Sequence, residues 1–132
     1  MKAMLLKKIS SVAENREPLE AADIPTPVPG KREILVRVAV CGVCHTELDE
    51  IEGRTAPPRL PVVPGHQVVG TVAASGPGAS RFSVGDRVGV PWIHSACGEC
   101  AWCRSGRENL CPDFQATGRD VNGGYAEYIA LP

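Results

Sequence analysis

The stretch CGECAWCRSGRENLC, residues 97–111, places its cysteines with the spacing C-x2-C-x2-C-x7-C. Zinc takes four thiolates as a tetrahedron at about 2.3 Å, and two-residue steps let successive sulfurs converge from one tight loop. Gly98 and Gly106 allow the sharp turns that this convergence demands. A site filled on all four positions by protein leaves no room for substrate, so a metal bound by Cys97, Cys100, Cys103 and Cys111 has a structural role. Structural zinc is the leading reading, with an iron–sulfur cluster and a pair of disulfides as its alternatives.

The compartment bears on that choice. No apolar run approaches the roughly 20 residues of a membrane span. The N-terminal MKAMLLKKIS has an apolar segment too short for a signal-peptide core and no small-residue cleavage site. A cytoplasmic protein is therefore expected, with no membrane partner. In a reducing compartment, clustered cysteines more often ligate metal than one another. A net charge of -1, with Lys and Arg scattered, offers no basic patch to a phosphate backbone, so nucleic acid is not an expected partner. At 132 residues there is room for one domain, and 22% charged with 43% hydrophobic residues fits an ordinary soluble one.

Outside the cysteine lobe, 14 glycines and 12 prolines leave little room for long helices. Strand-like runs lie between them: MLLKKI (4–9), EILVRVAVC (33–41), QVVGTVAAS (67–75), DRVGV (86–90) and YAEYIAL (125–131). In the second of these, Ile34, Val36, Val38 and Val40 are expected to share one face. The piece 44–51 is long enough for two helical turns. Many short strands with dense turns predict an antiparallel barrel or sandwich. The ending YIALP, directly after a strand-like run, reads as a cut.

A second constellation surrounds CGVCHTELDE, residues 41–50. A redox CxxC normally opens a helix within an α/β pattern, which this chain does not offer. A catalytic zinc takes three protein ligands from separate segments and keeps one position open. Cys44 and His66 are the natural pair, and a third ligand is not evident. Thr46 also suits a helix N-cap, with Glu47 to Glu50 favourably placed in the first turn. Cys41, at a strand end, reads as a small buried apolar residue.

Taken in order, GVCHTEL, VPGHQVVG, GDRVGV and CGECAWCRSGRENLC resemble the N-terminal part of zinc-dependent alcohol dehydrogenases of the medium-chain dehydrogenase/reductase superfamily. The resemblance covers essentially all of 1–132. It implies a mainly β, GroES-like, partly open β-barrel with short helices and a four-cysteine zinc lobe at 97–111. It further implies the catalytic-domain portion of an enzyme that oxidises a primary or secondary alcohol to aldehyde or ketone, passing hydride to NAD or NADP. The family's Rossmann cofactor domain has no counterpart in 1–132, where no GxGxxG lies between a strand and a helix, so the chain alone is expected to be inactive. The alternative is a zinc-stabilised barrel serving as a non-catalytic binding or interaction module.

Carried over residue by residue, the resemblance makes Cys44 and His66 two ligands of a catalytic zinc, with a third beyond residue 132. Thr46 matches the hydroxyl that binds the substrate oxygen and starts a proton relay. His45 matches a contact to the cofactor pyrophosphate, and Trp92 an aromatic that narrows the substrate pocket. Glu47 is a candidate acceptor for the second ring nitrogen of His66. The implied partner is a small-molecule alcohol or aldehyde, and a homo-oligomer stays open. Three positions depart from the family pattern. Gln67 stands for the usual glutamate after the ligand histidine, removing a negative charge there. Glu47 replaces an aspartate, and Asp49 replaces the histidine that commonly ends the relay.

Overall fold

The structure is a computed structural model and describes residues 1–132. Its elements run β1 (Lys2–Leu6), β2 (Leu19–Asp23), β3 (Ile34–Gly42), helix α1 (His45–Ile51), β4 (Gln67–Ser75) and β5 (Arg87–Val90). There follow β6 (Ile93–Ser95), the single-turn helix α2 (Ala101–Arg104), a 3-10 turn Glu108–Leu110, β7 (Gln115–Ala116) and β8 (Tyr128–Leu131). The fold is mainly β with short helices, as expected.

An antiparallel sheet of order β5-β4-β3-β8 forms the centre, flanked by the ribbons β1-β2 and β6-β7. Both outer strands of the central sheet keep a free edge, so the barrel is open rather than closed. One face of this sheet carries the main core: Ile34, Val36, Val68, Val72, Val88, Val90 and Ile129. These β-branched side chains fit a pleated, buried surface. A smaller cluster of Leu6, Ile51 and Val62 packs the back of α1 against β1. Leu6 and Val62 also exchange backbone hydrogen bonds of 2.9 and 3.1 Å, and β1 ends at Leu6, the last residue that pairs with β2, instead of running on to Ile9. No helix is long and apolar enough to cross a membrane.

The run 67–75 forms a strand with the expected bounds. The alternation expected along β3 holds only to Val38. Val38 pairs with Gly70 but Val40 pairs with Val69, so Ala39 is an extra residue without a partner. Such a bulge reverses which side chains face inward. Val40 is accordingly 57% exposed, and Cys41 packs on the core in its place. The bulge thus corrects the expected single face of Ile34 to Val40. It also packs Cys41, read from sequence as a small buried apolar residue, half-buried against the core. Strand β2, LEAAD, was not expected: only Leu19 is a strong apolar residue, and its five register pairs with β1 hold it extended.

The bulge predicts an asymmetry between two valines. Val40→Ser should change unfolding free energy by no more than about 0.5 kcal/mol. Val36→Ser, which leaves a cavity and a buried hydroxyl, should cost about 2 kcal/mol or more. Urea denaturation of both variants measures this, and equal losses would contradict the bulged register.

Candidate metal centres

In the lobe, the four sulfurs of Cys97, Cys100, Cys103 and Cys111 all lie within 4.8 Å of one another. Two of the separations are 3.6 Å (Cys97 to Cys111) and 3.9 Å (Cys97 to Cys103). A tetrahedron with 2.3 Å metal–sulfur bonds has edges of about 3.8 Å, so the group suits one zinc-sized ion. A disulfide needs sulfurs at about 2.05 Å, and all six cysteines are free. The loop is shaped by its own amides. Cys97 N–H donates to the Cys111 sulfur at 3.4 Å, Cys100 N–H to Cys97 at 3.3 Å, and Cys103 N–H to Cys100 at 3.4 Å. Gly98 and Gly106 have φ of 77° and 72°, the left-handed conformation that the turns require. Backbone N–H groups of Glu99 and Cys100 hold the Cys97 thiol down to about 7, which favours the thiolate that a metal needs.

The second group is Cys44, Glu47 and His66, whose ligand atoms also lie within 4.8 Å of one another. It is built where β3 ends and α1 begins. Cys44 is extended (φ -121°, ψ 162°) and is the helix N-cap, so the cap falls two residues before Thr46. The N3 residue is Glu47, whose Oε2 accepts the Cys44 N–H at 2.7 Å. The reason for the cap's place is this capping-box bond: a glutamate three residues after the cap can reach back to its amide.

The other carboxylate oxygen, Glu47 Oε1, lies 2.7 Å from His66 Nδ1, and both residues are buried. The contact is close but off hydrogen-bond alignment, and neither atom has another partner. One carboxylate therefore touches both candidate ligand residues, which come from separate segments. With Nδ1 against Glu47, the Nε2 of His66 is left for an ion. The Cys44 thiol lies 3.6 Å from Thr46 Oγ1, toward which it donates.

His66 enters from the loop 62–66, which a later strap clamps. Val63 N–H donates to Asn122 Oδ1 at 3.0 Å. Gly123, Gly124 and Tyr125 then donate their amides to the carbonyls of Val63, Gly65 and Pro64 at 2.6, 2.8 and 3.0 Å. Gly65 has φ 98°, and a Cβ there would meet the Tyr125 ring at 2.6 Å and the Cys41 sulfur at 2.9 Å. Only glycine lets the loop pass at this depth.

His45 is exposed at the start of α1, 3.6 Å from Asp49 one turn on. Asp49 also takes the Arg54 guanidinium at 2.5 Å. Trp92 is 37% exposed, with its ring 4.9 Å from that of Phe114 and the Arg119 guanidinium 6.0 Å away. Sequence reasoning did not single out Glu50 or Tyr125. The carboxylates of α1 read as charges suited to an exposed first turn, yet Glu47 and Glu50 are both buried. Only their i, i+3 spacing, which puts them on one face, hinted at this. Burial, followed by the nearby Glu47 and Cys41, pushes the Tyr125 hydroxyl well above its usual range.

Residues 30–132 match the family described as Alcohol dehydrogenase GroES-like domain. The chain belongs to this family. It is 46% identical over 122 residues to an alcohol dehydrogenase of Geobacillus stearothermophilus, covering 92% of this chain and 36% of that protein. A crystal structure of an NAD-dependent alcohol dehydrogenase superposes with a TM-score of 0.88 at 37% identity, over 100% of this chain and 37% of the other. The cobalt- and zinc-bound thermostable alcohol dehydrogenase from Pyrobaculum aerophilum gives 0.89 at 31% identity, over 100% and 39%. The chain thus spans little more than a third of these relatives' length.

The two-sided contact of Glu47 makes a prediction for this GroES-like domain. Glutamine at this position offers one acceptor oxygen where the carboxylate has two. Glu47→Gln should weaken cobalt(II) binding at Cys44 and His66 by about 10- to 100-fold, read from the thiolate-to-cobalt absorption, while leaving lobe metal in place. Unchanged affinity would show that Glu47 braces neither ligand.

Proposed function

We propose that this chain is the catalytic-domain portion of a zinc-dependent alcohol dehydrogenase that oxidises a primary or secondary alcohol to an aldehyde or ketone with NAD or NADP. The observation that carries the reading is the pair of half-buried Cys44 and buried His66 joined through one buried carboxylate, with the Thr46 hydroxyl beside the thiol. The names of the relatives support the same chemistry. This reading requires a cofactor-binding domain and a third zinc ligand in addition to Cys44 and His66. The lobe holds a structural zinc on Cys97, Cys100, Cys103 and Cys111.

In this reading Cys44 Sγ and His66 Nε2 hold the ion, and Glu47 fixes the imidazole from behind through Nδ1. When bound, zinc supplies Lewis-acid polarisation of the alcohol oxygen, and the nicotinamide supplies the hydride acceptor. Thr46 Oγ1 takes up the alcohol's proton and passes on its own. His45, exposed and 3.6 Å from Asp49, would contact the cofactor phosphates. Trp92 narrows the approach of the substrate's carbon chain. The protein acts on small-molecule alcohols and aldehydes in the cytoplasm.

The test uses the complete protein that carries this chain. It should contain two zinc ions per chain and reduce NAD or NADP with an alcohol. Cys44→Ser should retain one zinc and lose turnover by more than about 1000-fold. Thr46→Val should keep both ions and still lose most of kcat. Full activity in Cys44→Ser would refute the assignment.

A further inference from the structure

Glu50 is a buried carboxylate of α1, three residues after Glu47, that the reading above leaves unused. It is fully buried, and neither of its carboxylate oxygens has a hydrogen-bond partner. A structural glutamate in an interior is normally met by donors, because an unpaired buried charge costs several kcal/mol. Here the groups around it are mostly of its own sign. Glu47 and Asp49 face it from α1, Asp120 and Arg119 from the segment after β7, and the Tyr125 phenol stands across the same site. Arg119 is the only cation among them. Its guanidinium already binds the two oxygens of Asp120, at 3.3 and 2.8 Å.

The carboxyl therefore lies in a pocket of negative charge without a counter-ion. It sits one turn after Thr46 and three residues after Glu47, and like Glu47 it lies on the buried side of α1. From β4, the residue after His66 is the neutral, exposed Gln67, so α1 brings the carboxylates and β4 brings none.

We infer that the Glu50 carboxyl is linked through charge to the Cys44–His66 centre, keeping its proton while the centre lacks its metal and giving it up when a divalent cation is bound there. The inference rests on the metal reading of Cys44 and His66. The step is a simple dissociation. The Glu50 carboxyl O–H breaks, its electron pair stays on the carboxylate oxygen, and the proton passes to buffer. The bound cation supplies the positive charge that Arg119 does not. Burial, then the charge of Glu47, pushes the Glu50 carboxyl up to about 7 in the metal-free protein, so it carries its proton below that pH. A nearby dication favours the ionised form and lowers this value. Metal binding then releases a Glu50 proton at pH below about 7, and progressively none as pH rises past it, where the carboxyl is already ionised.

The experiment is calorimetric titration of cobalt(II) into the complete protein, with zinc already loaded in the lobe, in buffers of different ionisation enthalpy. Protons from the Cys44 thiol and from His66 are common to the wild type and to Glu50→Gln. The wild type should release more protons per cobalt than Glu50→Gln, by about one near pH 6 and by almost none near pH 8.5. Equal release in the two proteins, with Cys44-dependent cobalt absorption in both, would overturn the role of Glu50 and leave the metal reading standing. Absence of any cobalt absorption that disappears in Cys44→Ser would overturn both. Should Glu50→Gln not fold, carbon-13 NMR of glutamate carboxyls in the wild type decides. A carboxyl midpoint near 7 should move down on zinc binding, and one that stays would contradict the coupling.

Discussion

The contact on which the candidate site depends is the carboxylate of Glu47, with one oxygen on the Cys44 amide and the other against the His66 ring. Cys44 ends a strand and starts a helix, whereas His66 closes a proline-rich loop many residues later. Each position has its own local reasons, but only Glu47 connects them directly. A buried carboxylate without partners would be costly, so the folded state is under pressure to keep both contacts. The same group thus serves as helix cap and as brace for an imidazole. This joins a local rule of helix initiation to the geometry that a metal requires.

Around that contact, backbone constraints set the position of each partner. The bulge at Ala39 turns Cys41 inward against the core, three residues before Cys44. The strap 122–125 ties down the carbonyls of residues 63–65, and Gly65 lets the loop lie close to Tyr125 and Cys41. The cysteine lobe is organised separately, by amide-to-sulfur bonds within its own loop. Two centres of different character therefore arise in one domain. The lobe offers four thiolates from a single loop, enough to fill a tetrahedron. The other offers one thiolate and one imidazole from separate segments, which leaves room for further ligands.

Much of this was legible in the sequence because the relevant signals are short-range. The spacing of Cys97 to Cys111 carries the lobe almost alone. Alternating valines mark β3 and β4, and the resemblance of GVCHTEL and VPGHQVVG pairs Cys44 with His66. What was not legible depends on long-range packing. The bulge at Ala39 follows from the register with β4, so Val40 could not be seen to face solvent. Strand β2 exists because β1 is there to pair with it. Glu50 reads as a charged residue of a short helix, and only the three-dimensional fold shows that this face is buried among other carboxylates. Propensity described the strands well and the burial of charge poorly, because burial is decided by what packs over the helix.

The geometry at His66 is the point most open to direct test. With nitrogen-15-labelled histidine and cadmium-113 in place of zinc in the complete protein, NMR identifies which ring nitrogen is bonded to the metal. Coupling to His66 Nε2, with a proton retained on Nδ1 facing Glu47, is the expected result. Coupling to Nδ1 would mean that Glu47 and His66 meet at the ion itself, contradicting the role of Glu47 as the brace behind the ligand.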